Sequence, residues 1–276
     1  MDKEMEYKIQ ETRHGSGSSY RKELLRFLTG EYGLLVEDIH PAKRGFYGET
    51  WDILTESGKF FLKIDYWNHH KKGVQNSLPI VRYMTDSGIS FIPGIIETKD
   101  GRLYSSFRQS TAAVFEHVPG ELSEDYSTAQ LYSRLAKVYR LRTEGLELEA
   151  EEFGSGRLKT FRTLRSLPAL PVKIKAALAE KETDIARYME RLERFSAVCK
   201  GNRENFHITH GDAGGNCILN GSQLFLVDWD SCLLAPIERD AWIFICDKSE
   251  MERIDSILAE SGIDYVLEQD RLCYCH

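Results

Sequence analysis

Hydrophobic and polar positions follow two different rhythms along this chain. From about Leu34 to Phe115 the apolar and β-forming residues come in short runs of strand length, such as Thr50-Trp51-Asp52-Ile53-Leu54 and Phe60-Phe61-Leu62-Lys63-Ile64. Between these two runs Glu56-Ser57-Gly58-Lys59 reads as a hairpin turn, and Lys99-Asp100-Gly101 reads as a second one. A short helix over 20–30 precedes this region, with Leu24, Leu25, Phe27 and Leu28 on one side and Gly30 at its end. One helix interrupts it, from near Leu78 to Ser87, closed by Gly88. After Pro119-Gly120 the spacing becomes helical. Leu131, Leu135 and Val138 recur on one face, widened by Ala136, Tyr139 and Leu141. A longer helix is expected after Pro171, its stripe of Ile174, Leu178, Ile185, Tyr188, Leu192 and Phe195 reading as core packing. Two short strands follow, Cys217-Ile218-Leu219 and Leu224-Phe225-Leu226-Val227, turned by Asn220-Gly221. Ala241–Cys246 and Met251–Leu258 are further helix candidates.

Composition narrows the function classes. The chain has 276 residues, of which 42% are hydrophobic and 29% charged, a globular balance that excludes a mostly disordered chain. No run approaches the roughly 18 apolar residues of a membrane span, so no membrane partner is expected. The charged N-terminus, Met1 to Glu6, lacks the apolar stretch of a secretory signal, which points to the cytoplasm. A net charge of −7 argues against nucleic acid as a partner. The acid is uneven: Glu116 to Glu152 holds nine acidic and four basic residues. Such a segment is either a solvated helix face or a rim that attracts a cationic substrate. The six cysteines follow no zinc-binding spacing, and Cys217, Cys232 and Cys246 read as small core residues.

The chemistry concentrates between residues 208 and 230. His210-Gly211-Asp212-Ala213-Gly214-Gly215-Asn216 lies between Ile208 and the apolar run from Cys217. Val227-Asp228-Trp229-Asp230 ends the next strand. A tight ribbon would bring Asp212, Asn216 and Asp228 together as oxygen donors, which suit a hard cation such as Mg²⁺. Asp212 would then be free to accept a proton from a substrate hydroxyl. The plainer reading makes Asp212-Ala-Gly-Gly a turn and leaves Asp228 and Asp230 merely ending a strand.

Taken together, these residues resemble the catalytic and metal motifs of the aminoglycoside phosphotransferase family, which shares its fold with choline kinases and protein kinases. Ala235-Pro236-Ile237-Glu238-Arg239-Asp240-Ala241-Trp242 is similar to the segment that follows the metal aspartate in spectinomycin-kinase-like members. The resemblance implies an α+β, protein-kinase-like two-lobe fold: an N-lobe with an antiparallel nucleotide-binding sheet over 1–115, a hinge over 116–120 and a helical C-lobe over 121–276. It implies transfer of the γ-phosphoryl group of ATP or GTP to a hydroxyl of a small molecule, an aminoglycoside or aminocyclitol antibiotic among the candidates. Asp212 takes the catalytic place, and Asn216 and Asp228 take the Mg²⁺-binding places. Three residues separate Asp212 from Asn216, one fewer than in the kinase signature. Gly45 and Gly48 fall in the phosphate-covering loop, Lys63 where the α- and β-phosphates are held, and Glu116 and Val118 where backbone groups meet adenine. His210, Arg239 and Asp240 take supporting places, the last two as ion-pair partners that anchor the loop. The helix glutamate that normally pairs with the phosphate-binding lysine is missing: its place falls at Ser77, and no acid lies between Asp65 and Asp86. That gap and the short loop leave open a pseudokinase that binds nucleotide as an interaction module. A metal-dependent hydrolase would use the same carboxylates without Lys63.

Overall fold

A computed structural model of the chain describes residues 17–42 and 48–275. In chain order these form α1 (Ser18–Phe27), β1 (Val36–Pro41), β2 (Gly48–Thr55), β3 (Gly58–Asp65), α2 (Asn68–Asp86), β4 (Ile95–Ile96), β5 (Ser105–Phe107), β6 (Ser110–Glu116) and β7 (Glu121–Leu122). There follow α3 (Thr128–Tyr139), α4 (Gly156–Arg165), α5 (Val172–Glu180), α6 (Glu182–Lys200), β8 (His207–Thr209), β9 (Cys217–Asn220), β10 (Gln223–Leu226), β11 (Leu233–Ala235), α7 (Glu238–Ala241), α8 (Lys248–Glu260) and α9 (Gln269–Cys275). Contacts divide the chain into two units. One runs to Tyr126 and includes Asp212–Cys232; the other comprises Ser127–Gly211 and Leu233 onward. Among the described residues no helix is long and apolar enough to cross a membrane.

The first unit is built on an antiparallel sheet in the order β1-β2-β3-β6-β4, with β5 also pairing β6. The turn at Glu56-Ser57 pairs Thr55 with Gly58 and so fixes the register Trp51↔Leu62 and Thr50↔Lys63. On β6, Val114 then lies beside Leu62 and Ala113 beside Lys63. Side chains alternate between the faces of a strand. One face sends Trp51, Ile53, Leu62, Ile64, Ala112 and Val114 into a core closed by Tyr20, Leu24 and Leu28 from α1 and the turn after it. Thr50 and Lys63 fall on the opposite face. That alternation is why a lysine sits inside an apolar strand.

Four boundaries in this unit differ from the sequence reading. The first helix does not stop at Gly30 but continues as a wider turn over Leu28–Tyr32 and ends at Gly33; the buried Leu28 and Tyr32 hold that extra turn against the sheet. Lys99-Asp100-Gly101 is a local turn, closed by Thr98 and Arg102, and not a hairpin. The hairpin is at Arg108-Gln109, because β4 and β5 occupy separate stretches of β6 and do not pair with each other. Helix α2 begins ten residues before the expected Leu78. Its first half is polar apart from Val74 and gave no apolar period to read. A second sheet, β10-β9-β7, completes this unit, with the β9–β10 turn at Gly221-Ser222, one residue beyond the expected pair.

In the second unit α3 starts at a capping box, Ser127 and Gln130 satisfying each other's backbone amides. It buries Leu131, Tyr132, Leu135, Ala136, Val138 and Tyr139, the expected face. It packs against α8 and β8, and β8 pairs β11. The stripe after Pro171 behaves otherwise. It is split between α5 and α6; α5 buries nothing, and Ile174 and Tyr188 are 47% and 57% exposed. Only Phe195, Ser196 and Cys199 of α6 are buried. Periodicity identifies an apolar face but not whether anything covers it.

Near the C-terminal end a buried charge network ties α7 to α9. The Tyr265 hydroxyl donates to Glu238 at 2.5 Å and accepts from Arg271 at 2.9 Å, while the Glu268 amide donates to the other Glu238 oxygen at 2.6 Å. Glu238 is fully buried and Arg271 2% exposed. Removing the cation leaves a buried carboxylate uncompensated. Arg271→Met is therefore expected to cost about 3 kcal/mol, read as a lower urea midpoint. A midpoint within error of the parent would show that Arg271 is not needed to balance Glu238.

Candidate active site

All the groups of the candidate site belong to the first unit. Lys63 reaches from β3 to two carboxylates that follow β10: its ammonium donates to Asp228 at 2.5 Å and also to Asp230. The two acids differ in setting. The Asp228 side chain is 45% exposed and the Asp230 side chain 9%. Asp228 has left-handed backbone angles, φ 64° and ψ 56°, uncommon for a residue with a Cβ and concentrated at functional sites. The short 3₁₀ turn Trp229–Ser231 follows, pinned by the buried Trp229 indole donating to the Leu226 carbonyl at 3.2 Å.

The loop before β9 is closed by a 3₁₀ turn over Ala213–Gly215. With one residue fewer than the kinase spacing, the turn still brings Asn216 back onto Asp212. Its Nδ2 donates to the Asp212 carbonyl at 2.7 Å and to the carboxylate at 3.1 Å. The Val227 amide donates to the Asn216 carbonyl at 3.0 Å, which places Asp228 next to this loop. With Nδ2 committed, the Asn216 Oδ1 is the side-chain atom left to ligate. Asp228 carboxylate and Asn216 amide oxygens are the donor set a hard divalent cation takes, so these residues fit Mg²⁺.

A cavity of about 160 Å³ opens here, lined by Gly48, Glu49, Thr50, Lys63, His70, Asp212, Asp228 and Asp230 among others. Of the sequence-predicted residues, Gly48, Lys63, Asp212 and Asp228 share this lining, and Asn216 adjoins it through Asp212. Gly48 has no room for a side chain: an added Cβ would stand 1.9 Å from the Ile64 carbonyl oxygen. Gly45 lies outside the described residues. Glu116 and Val118 are outside the cavity lining. The Glu116 amide donates to the Gly94 carbonyl at 2.8 Å.

Charge sets the protonation states. Burial pulls the Lys63 ammonium down, but Asp230 and Asp228 outweigh it and hold its pKa above the ordinary lysine value. Burial pushes the Asp230 carboxyl up, against the pull of Lys63. The hydrogen bond to Asp65 raises His70, against desolvation. Asp65, His70 and Asp230 form a cluster that the sequence reading did not assemble. Asp65 bonds the His70 Nδ1, Asp230 lies 3.8 Å from Nε2, and one ligand atom from each of the three lies within 4.8 Å of the others. Another missed residue is Glu49, a buried carboxylate that accepts from the Tyr20 and Tyr66 hydroxyls. An acid inside an apolar strand was the available signal.

In the second unit the segment leading to Asp212 is fixed by Asp240. Its carboxylate accepts the His210 amide at 3.0 Å, the Gly211 amide at 2.5 Å and the Tyr139 hydroxyl at 3.0 Å. Arg239 donates to the Thr209 hydroxyl at 3.0 Å. His210 is fully buried.

Solved structures share this fold. A spectinomycin phosphotransferase in complex with ADP and spectinomycin superposes with a TM-score of 0.71 at 19% identity, covering 92% of this chain and 83% of its own. An amicoumacin kinase in complex with AMP-PNP and Ca²⁺ gives 0.62 at 15% identity, over 91% and 82%. A macrolide 2'-phosphotransferase from Brachybacterium faecium gives 0.60 at 13%, over 91% and 86%. No curated protein matches the chain by sequence. The fold is thus the protein-kinase-like α+β fold, an antiparallel sheet followed by a helical part. Residues 38–272 match the phosphotransferase enzyme family, and the chain belongs to it. It is a kinase of the aminoglycoside phosphotransferase type.

Proposed function

We propose that the protein moves the γ-phosphoryl group of ATP or GTP to a hydroxyl of a small molecule. The observation that carries this reading is the convergence of Lys63, Asp212 and Asp228 on one cavity. Asp212 orients the acceptor hydroxyl and takes its proton. Lys63 binds and orients the phosphates. Asn216 and Asp228 hold Mg²⁺, which when bound supplies neutralisation of charge on the transferring group. Glu116 and Val118 present backbone groups to the base, and the loop containing Gly45 and Gly48 covers the phosphates. Residues 1–115 and 121–276, joined at 116–120, act as the two lobes.

A cationic acceptor is favoured by the acidic segment. Glu121, Glu124 and Asp125 in the first unit, and Glu144, Glu147 and Glu149 in the second, are all exposed. Spectinomycin, seen in a related fold, is an acceptor to test first. The protein is incubated with Mg-ATP or Mg-GTP and a panel of aminocyclitols, sugars and small alcohols, and nucleoside diphosphate release is followed. Release that depends on the acceptor, and is greatest for cationic members, is expected. Release without any acceptor would make the protein a hydrolase. Binding without turnover across the panel would make it a pseudokinase.

A further inference from the structure

Lys63 faces two acids of unequal availability. If Asp228 turns to a cation, the ammonium, 18% exposed at the side chain, must keep an anionic partner or pay for burial alone. Helix α2, which follows β3, has no carboxylate to give. No acid occurs from Tyr66 to Thr85, and Asp86 at the far end is paired with Arg82 at 2.9 Å.

What α2 offers instead is a seat for Asp230. The Asp65 carboxylate accepts the Trp67 amide at 3.0 Å and also bonds the His70 ring, so it sets the first turn of the helix and the aim of the imidazole together. The other ring nitrogen, Nε2, then stands 3.8 Å from the Asp230 carboxylate. One turn on, Gly73 lies against the Asp230 backbone: an added Cβ would meet the Asp230 carbonyl oxygen at 3.1 Å. The bare backbone at residue 73 is what lets the Trp229–Ser231 turn lie so close to the helix. Asp230 is thereby held from behind while its carboxylate meets Lys63.

We propose that Asp230 is the positioning residue for Lys63, the anion having moved from the helix to the turn after the metal aspartate, with Asp65, His70 and Gly73 as its support. This rests on the reading of Lys63 as a phosphate-binding residue. Asp230 acts through Lys63 and does not itself touch the nucleotide.

The test is a cycle of Mg-ATP titrations on the full chain: parent, Asp230→Asn, Lys63→Met and the double variant. Asp230→Asn is expected to weaken Mg-ATP about tenfold in the parent background and to have no further effect in Lys63→Met, since coupled neighbours are non-additive. A purely structural role would lower affinity equally in both backgrounds and would overturn the proposal. Tighter binding in Asp230→Asn would show that Asp230 competes with phosphate for Lys63 and would equally overturn it. Gly73→Ala keeps every charge in place and displaces only the Asp230 backbone. It should weaken Mg-ATP in the same Lys63-dependent way, and it serves if Asp230→Asn does not fold. A parent protein that does not bind Mg-ATP at all defeats the functional reading itself. Normal parent binding with neither variant affected defeats only this inference.

Discussion

Asp212→Asn should cut acceptor phosphorylation by about 10²–10⁴-fold while leaving Mg-ATP affinity unchanged within a factor of about three. The substitution keeps size and shape. Its amide oxygen can still accept from the Asn216 Nδ2, which stands 3.1 Å from the carboxylate, and the Ala213–Gly215 turn has no reason to open. What disappears is the group able to take a proton from the acceptor hydroxyl. On the proposed reading the loss belongs in kcat, because that reading gives nucleotide binding to Lys63, Asn216 and Asp228. Initial rates with a productive acceptor, set beside calorimetric titration with Mg-ATP, separate the two. Turnover equal to the parent would remove Asp212 from the chemistry.

Asp228→Ala is expected to abolish the part of nucleotide affinity that depends on Mg²⁺. In the parent, ATP should bind at least about tenfold more tightly with Mg²⁺ than in EDTA, a difference of about 1.4 kcal/mol. In the variant the two values should coincide and phosphorylation should be lost. Lys63 also complicates the sign. Asp228 is one of its two carboxylate partners, so the variant frees the ammonium to meet a phosphate. Affinity in EDTA should thus stay level or rise while affinity in Mg²⁺ falls. Normal Mg-ATP binding by calorimetry would falsify the metal-ligand role. A uniform drop under both conditions would indicate damage to the fold instead.

Much of this was legible in the chain because it is encoded locally. The β2–β3 hairpin follows from its turn and its alternation, and that alternation alone puts Lys63 opposite the core. The Asp212, Asn216 and Asp228 constellation follows from short-range spacing around one ribbon. The missed features depend on partners distant in sequence. The polar half of α2 carries no period, so neither its start near Asn68 nor the placing of His70 against Asp65 and Asp230 was visible. The β4–β5 segment looked like a hairpin because its turn is real; only the tertiary choice of β6 as the common partner decides otherwise. The stripe after Pro171 shows the converse, a periodic face with little of it buried. Arg239 and Asp240 were expected to anchor the catalytic loop together. What could not be read was that the Asp240 carboxylate takes two consecutive backbone amides, His210 and Gly211, because backbone donors leave no trace in a sequence.

The lining of the cavity has a further consequence for what enters it. Asp212, Asp228 and Asp230 line it with one lysine and one histidine, while the Glu49 carboxylate is turned to Tyr20 and Tyr66. A bare polyphosphate approaching this surface meets a field of its own sign, and low ionic strength deepens that repulsion. A polyphosphate already carrying a divalent ion arrives with much of its charge cancelled and adds positive charge to a site where three aspartates face one lysine. Selection by electrostatic admission thus precedes any fit of base or sugar.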